Sequence, residues 1–318
     1  MNALAGSDVP PGPAHPYPLP AASATRAAVI GLPVRHSLSP AMHRAAYRAL
    51  GLSDHTYDAV EVAEDALADF VAGLDATWTG VSVTMPLKRA VRGFLQDESE
   101  LCRQVGSVNT LVVTATGLHG YNTDVHGMLR ALAELGVTAA GPSVVLGGGA
   151  TAASALAALR DLGSPEPIVL VRNPQRALDL LAAADRLGVH PRLHVLDANG
   201  LAGAVDELRG NDKGVLISTL PSGVADAYAP DLVAALSGPV GPALLDVVYD
   251  PWPTGLAVRW AAAGGRTVGG LEMLVHQAEG QVRLMTGRRA PLEVMRQAGL
   301  DELARRAGTR DHVVEPYG

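Results

Sequence analysis

Between two polar ends, the chain alternates short apolar runs with stretches of helical period. Ala27–Leu32 reads as a strand. Small and apolar residues at Ala41, Met42, Ala45, Ala46, Ala49 and Leu50 then recur at the spacing of one helix face. His55–Val60 predicts a second strand, Ala63–Ala72 a helix and Gly80–Val83 a third strand. This β-α-β-α-β rhythm predicts a mostly parallel sheet covered by helices. Thr110–Val113 predicts one more short strand before a turn at Thr116–Gly117, and Asp124–Leu135 a helix stopped by Gly136.

A second rhythm opens at Ser143. Strands are predicted at Ser143–Leu146, Pro167–Val171, Arg192–Leu196, Val215–Thr219 and Ala243–Val247. Ala150–Leu162 and Pro174–Leu187 read as helices, the first ended by Gly163. A last helix is expected at about Leu271–Met285. The pattern therefore predicts two α/β domains with a cleft between them: residues 25–125, and a doubly wound unit over 126–270. Helices in 271–300 are expected to return toward the first. The Pro- and Ala-rich stretch 1–24 has neither period, nor the basic start and apolar core of a signal peptide, and reads as a disordered tail. The charged residues 301–318 read as a second, frayed end.

Composition narrows the function classes. The 318 residues are 48% apolar, enough for sizeable cores. A net charge of −7 gives no footprint for nucleic acid, and no apolar run reaches the roughly 18 residues of a membrane span. The single cysteine, Cys102, excludes an internal disulfide and a CxxC or zinc cluster, so no metal is expected and a reducing, cytoplasmic compartment fits.

Ser143–Leu146 runs into Gly147, Gly148, Gly149, Ala150, Thr151 and Ala152, a strand–glycine–helix junction of the form GxGxxA. Gly147 suits the tight turn, Gly149 lets a diphosphate approach the backbone, and Ala152 suits helix-on-strand packing. The helix start offers free N–H groups to phosphates. A turn built only for packing would look similar. At the end of the next strand an NAD site usually carries an acid for the ribose 2′-hydroxyl. Here Val171-Arg172-Asn173-Pro174-Gln175-Arg176 stands instead. Arg172 and Arg176 suit a 2′-phosphate, unless they are simply solvated, and the missing acid counts against NAD.

The first half carries a polar set. Ser37 and Ser39 precede a helix; Ser39 with Pro40 behind it reads as an N-cap and N1 pair, leaving Ser37 free. Gly80 to Lys88, with Ser82 and Thr84, reads as a strand, a polar turn and a helix start. Lys88 would sit in the first helical turn, where the dipole disfavours a cation, so either it is a surface lysine or something else requires it. Asn109 precedes a strand, and Asp124 opens the interdomain helix, as a plain cap or as a functional carboxylate. Hydroxyls, an amide, a lysine and a carboxylate at strand ends suit a small, hydroxyl-rich ligand bearing a carboxylate. Beside a redox cofactor they imply hydride transfer at a carbon bearing oxygen.

From about residue 27 to 298 the chain resembles shikimate dehydrogenase. The resemblance rests on His36–Pro40, Val83–Lys88, Asn109–Leu111, Asn122–Asp124, the glycine loop, Asp246–Pro251 and Gly269–Gln277, all in the same order. The segments at 81–86 and 249–254 are similar to the actinobacterial branch. The resemblance implies NADPH-dependent reduction of 3-dehydroshikimate to shikimate, on the way to aromatic amino acids, by a monomer or homodimer. It implies that Ser37 and Ser39, with Tyr249, bind the substrate carboxylate, that Ser82, Thr84, Asn109 and Gln277 contact the ring hydroxyls, and that Lys88 and Asp124 act at the reacting centre. Gly147 to Thr151, Arg172, Asn173, Arg176, Ser218, Val247, Gly270 and Met273 would face NADP(H). Ser82, Ala150, Val171 and Ser218 depart from the family's usual residues and bear on fine contacts. A quinate or aminoshikimate dehydrogenase on the same scaffold is the nearest rival; a binding protein without turnover would have no need of both Lys88 and Asp124.

Overall fold

Two six-stranded sheets are joined in sequence by one helix. The structure, a computed structural model, describes residues 19–236 and 241–313. In the first sheet β1 (Arg26–Gly31) lies between β2 (Thr56–Glu61) and β3 (Trp78–Val83), all parallel, with α1 (Ser39–Ala49) and α2 (Leu67–Ala72) in the crossovers. β1 and β3 are buried nearly end to end, as parallel strands covered on both faces must be.

The chain then departs from the expected rhythm. Around the expected strand β5 (Thr110–Thr114) it adds β4 (Asp97–Glu98), α3 (Glu100–Val105) and β6 (Gly117–Tyr121), giving the order β2-β1-β3-β5-β6-β4. β5 runs antiparallel to both β3 and β6, the one reversed strand of a mostly parallel sheet. Gly117, at φ +118°, reverses the chain so that β6 folds back on β5.

Helix α4 (Asp124–Glu134) leads to the second sheet. Its elements are β7 (Ser143–Leu146), α5 (Ala150–Asp161), β8 (Ile168–Val171), α6 (Leu178–Leu187), β9 (Arg192–Val195), α7 (Ala198–Leu208), β10 (Val215–Ser218), α8 (Ala229–Leu232), β11 (Ala243–Asp246), α9 (Gly255–Ala262) and β12 (Arg266–Gly269). The order β12-β11-β10-β7-β8-β9 is wholly parallel, and the direction of winding reverses between β7 and β10. That reversal opens a crevice at the carboxyl ends of the strands, where such sheets bind ligands. The helix expected from Pro174 begins later, because the Asn173 side chain accepts the Gln175 N–H and closes Pro174–Arg176 as a 3-10 turn.

Two helices close the described residues, α10 (Gly270–Thr286) and α11 (Leu292–Val313). α10 packs along α4 and against α1 and β3, and α11 packs on α1 and α10. Close approach of α10 to α4 depends on Gly127 and Gly280: a Cβ on Gly127 would lie 2.6 Å from the Met273 carbonyl oxygen, and one on Gly280 3.1 Å from Thr123 Cγ2. The frayed end expected from Asp301 is helix through Val313, stabilised by ion pairs of Arg305 and Arg306 with Glu302 and by contact with the first sheet's helices. Of the tail expected over 1–24, residues 1–18 lie outside the described residues. Ala24 is buried, and Leu19 lies against Gly287.

Candidate active site between the sheets

Loops at the carboxyl ends of β1, β3 and β11 meet the N-terminal turns of α4, α5 and α10 around a cleft of about 280 Å³. Ser37, Ser39, Ser82, Thr84, Lys88, Asn109, Asp124, Tyr249 and Gln277 all line it. So do Thr151, Val247, Gly270 and Met273, which the family resemblance assigned to the cofactor. Gly270 lets the start of α10 press against the Val247 carbonyl, where any Cβ would collide.

Lys88 Nζ donates to Asp124 Oδ2 at 2.5 Å, and both side chains are largely buried, at 15% and 6% exposed. The sequence placed Lys88 in a helix. It stands instead in a turn, before a 3-10 helix at Ala90–Phe94, so a helix dipole does not account for it. Asp124 is not a cap either. The capping falls to Asn122, whose Oδ1 accepts the Asp124 and Val125 N–H groups at 3.0 and 3.4 Å. The Asp124 carboxylate is thereby left for the cleft, at the favourable end of α4. Its Oδ1 accepts from Asn109 Nδ2 at 2.8 Å. Asn109 Nδ2 also donates to Thr123 Oγ1 at 2.8 Å, while Asn109 Oδ1 accepts the Thr123 N–H at 2.8 Å. Asn109 is therefore a brace for the turn that carries Asp124.

The two serines exchange the roles read from sequence. Ser39 is the first residue of α1 and makes no side-chain cap. Ser37 Oγ accepts the Ser39 N–H at 3.2 Å. One lone pair of Ser37 is thus engaged, and its proton stays available to an acceptor in the cleft.

Ser82 sits in a hydrogen-bond chain whose direction is forced. The Asn109 carbonyl can only accept, so Gln281 turns its Nε2 toward it, at 3.1 Å. Gln281 Oε1 then faces Ser82, whose hydroxyl donates to it at 2.8 Å. The Ser82 oxygen in turn accepts from the buried Tyr57 hydroxyl at 2.6 Å. Ser82 therefore has no proton left for a ligand and can only accept. Gln281 was missed in the sequence. Its signal was the i,i+4 spacing from Gln277 on one face of α10, both side chains almost wholly buried. Behind this chain, His43 stacks on Tyr57 at 3.9 Å with its Nδ1 against the Ser39 carbonyl at 2.9 Å.

On the second sheet, Gly147 has φ +114°, and any Cβ there would collide with Thr219 Oγ1. A Cβ at Gly148 would touch Val171, whereas one at Gly149 would face open space. Ala150 and Thr151 open α5, whose first turn has no side-chain cap, so its N–H groups are free for an anion. Arg172 is exposed just past β8, Asn173 caps the turn after it, and Arg176 closes that turn. This loop, helix start and cation suit a dinucleotide diphosphate with a 2′-phosphate. Ser218 differs from its expected role: it is wholly buried at the end of β10, paired in register with Asp246, so its side chain does not open to the cleft. Burial raises the Asp246 carboxyl above its usual range, against the hydrogen bond from Thr254 Oγ1 at 2.9 Å.

A doubly wound dinucleotide-binding sheet facing a polar lysine–aspartate cleft defines a two-domain nicotinamide-dependent oxidoreductase. Residues 29–111 match the family model described as the shikimate dehydrogenase substrate binding domain, and residues 270–298 the one described as the shikimate 5'-dehydrogenase C-terminal domain. A shikimate dehydrogenase (NADP(+)) of Methanosarcina mazei is 36% identical over 86% of this chain and 97% of its own length. Among solved structures, the Mycobacterium tuberculosis shikimate dehydrogenase is similar with a TM-score of 0.77 and 44% identity, over 87% of this chain and 99% of that one. The Thermus thermophilus shikimate 5-dehydrogenase in complex with NADP(H) and shikimate gives 0.73 and 32%, over 87% and 99%. The chain belongs to the shikimate dehydrogenase family.

Proposed function

We infer that this chain catalyses the reversible NADP-dependent oxidation of shikimate to 3-dehydroshikimate. The observation that carries this reading is a single cleft lined both by the Lys88–Asp124 pair and by Thr151, at the start of the glycine-loop helix. When bound, NADP(H) supplies hydride chemistry. The glycine loop and the α5 N-terminus would hold its diphosphate, and Arg172 with Arg176 its 2′-phosphate.

In our reading Ser37, Ser39 and Tyr249 bind the substrate carboxylate, while Thr84, Gln277 and the acceptor oxygen of Ser82 take ring hydroxyls. Lys88 Nζ uses one N–H on Asp124 Oδ2 and keeps two. Those donate to the reacting oxygen and offset the negative charge that develops there during reduction. Asp124, itself fixed by Asn109, keeps Nζ from swinging away. Low exposure of both groups strengthens the interaction. We place the enzyme in the cytoplasm as a monomer or homodimer, to be read by light scattering. None of its described helices is long and apolar enough to cross a membrane.

The test is steady-state kinetics with shikimate and with quinate, each with NADP and NAD. Lys88→Ala should keep its fold and lose about 10²-fold or more in kcat, with the KM for NADP nearly unchanged. The Lys88→Ala/Asp124→Ala double variant should be little worse than the worse single, since groups acting as a unit are not additive. A folded Lys88→Ala enzyme with more than about half of wild-type kcat refutes the assignment.

A further inference from the structure

α11 extends beyond residue 298, the last that the family models match, and its added turns reach back to the cleft. Arg306 uses three of its N–H groups there. Nε donates to Glu302 Oε1 at 2.8 Å, Nη1 to the His36 carbonyl at 2.7 Å and Nη2 to the Ser37 carbonyl at 3.1 Å. The side chain is 15% exposed. Tyr249, from the second sheet's side, directs its hydroxyl at the same His36 carbonyl at 3.4 Å. Burial raises the Tyr249 phenol, with the Arg306 charge pulling it down and the Asp250 carboxylate pulling it up.

We propose that Arg306 is a positioning residue for recognition of the substrate carboxylate: its planar fork holds the main chain of His36 and Ser37 so that the Ser37 hydroxyl faces the cleft, and it adds a cation behind that loop. A guanidinium suits this task because it binds two carbonyl oxygens at a fixed spacing. Glu302 is shared between Arg305 and Arg306, so the three side chains carry two positive charges against one negative. The Arg306 guanidinium sits behind the loop whose Ser37 oxygen already accepts the Ser39 N–H and whose proton remains to be donated. An anionic group at Ser37 and Ser39 would therefore meet donated hydrogen bonds, the N-terminus of α1 and a half-buried cation together. Loss of the cation weakens binding of a carboxylate more than that of an uncharged ligand end.

The proposal rests on the reading of Ser37 and Ser39 as the carboxylate ligands, and the experiment separates the two. Full-length wild type, Arg306→Ala, Arg306→Gln and Ser37→Ala are assayed with NADP and either shikimate or shikimate methyl ester. Circular dichroism and melting check each fold. Arg306→Gln keeps the apolar stem and one amide donor, so it reports if Arg306→Ala does not fold. For both Arg306 variants we expect the KM for shikimate to rise about ten-fold, on the scale of hydrogen bonds to a charged group. The KM for the ester, whose carbonyl still accepts from Ser37 but carries no charge, should rise by a smaller factor, and kcat and the KM for NADP should hold. An equal rise for acid and ester, or no rise for either, overturns the proposal. If Ser37→Ala leaves the KM for shikimate unchanged, the carboxylate lies elsewhere; a raised KM in Ser37→Ala with a non-selective Arg306→Gln leaves that site standing and removes Arg306 from it.

Discussion

Gly127 sets how closely α4 approaches α10, and so where Asp124 stands relative to Gln277 and Gln281. In Gly127→Ala the new Cβ would lie 2.6 Å from the Met273 carbonyl oxygen and 3.0 Å from Gln277 Cβ. Ordinary contact begins at 3.4 Å, so the helices must part by about 0.8 Å. The obstacle is backbone, which cannot rotate aside. Two terms decide stability: alanine gains about 1 kcal/mol of helix propensity, and overpacking costs about 1–3 kcal/mol. The net loss is about 0–2 kcal/mol, a fall of a few degrees in Tm. Activity should suffer far more, because a misplacement near 1 Å in a positioned site costs about 10²-fold. We expect kcat/KM for shikimate to fall about 10- to 100-fold with the KM for NADP little changed. Gly280→Ala is the control. Its Cβ would meet the Thr123 side chain at 3.1 Å, which can yield, so its loss should be smaller. A folded Gly127→Ala enzyme within two-fold of wild type, or Gly280→Ala as the worse of the pair, refutes this reasoning.

Two further outcomes follow from the same geometry. Burial lowers His43 to about 4, so relative to an unfolded value near 6.5 its contribution to stability is full above pH 6.5 and is lost as pH falls toward 4; urea midpoints across that range should fall less steeply in His43→Gln, and equal slopes would exclude His43 as the source. Replacing both Arg172 and Arg176 by Ala should raise the KM for NADP about ten-fold or more and spare NAD, in line with lost charge-assisted hydrogen bonds to a 2′-phosphate; an equal rise for both cofactors rules out that clamp.

Much of the architecture is legible in the chain because its strands are short aliphatic runs and its helices end at glycine. Ser143–Leu146 falls where the pattern puts it, and Gly163 follows the end of α5. What escaped has physical reasons. β6 carries His119 and Gly120 and gains its strand character from pairing with β5, not from its own residues. α7 contains Gly200, which helix propensity counts against but which fits where any Cβ would collide with the Val195 carbonyl. The far end of α11 has no apolar stripe, and side-chain ion pairs and the Arg306 bonds to the His36–Ser37 loop mark its course. At the site, residue types are visible before roles. Lys88 looked out of place on a helix and instead stands in a turn beside Asp124. The division of labour between Ser37 and Ser39, or between Asn122 and Asp124, depends on loop geometry that no spacing rule encodes.

One of the first sheet's two cores is built from distant parts of the chain. Val29, Met42, Tyr47 and Tyr57 share one apolar cluster with Val275, Val282, Met285 and Met295. During synthesis, the ribosome releases the first group long before the second exists. A nascent chain that has emerged only as far as β12 holds every strand of both sheets, yet the face that α10 and α11 will cover is still bare. The second sheet's two cores, Met273 aside, draw only on residues already made by then, and can mature meanwhile. The substrate-binding half is thus begun first and completed last, and for that interval its apolar face is the surface that holdase chaperones are built to shelter.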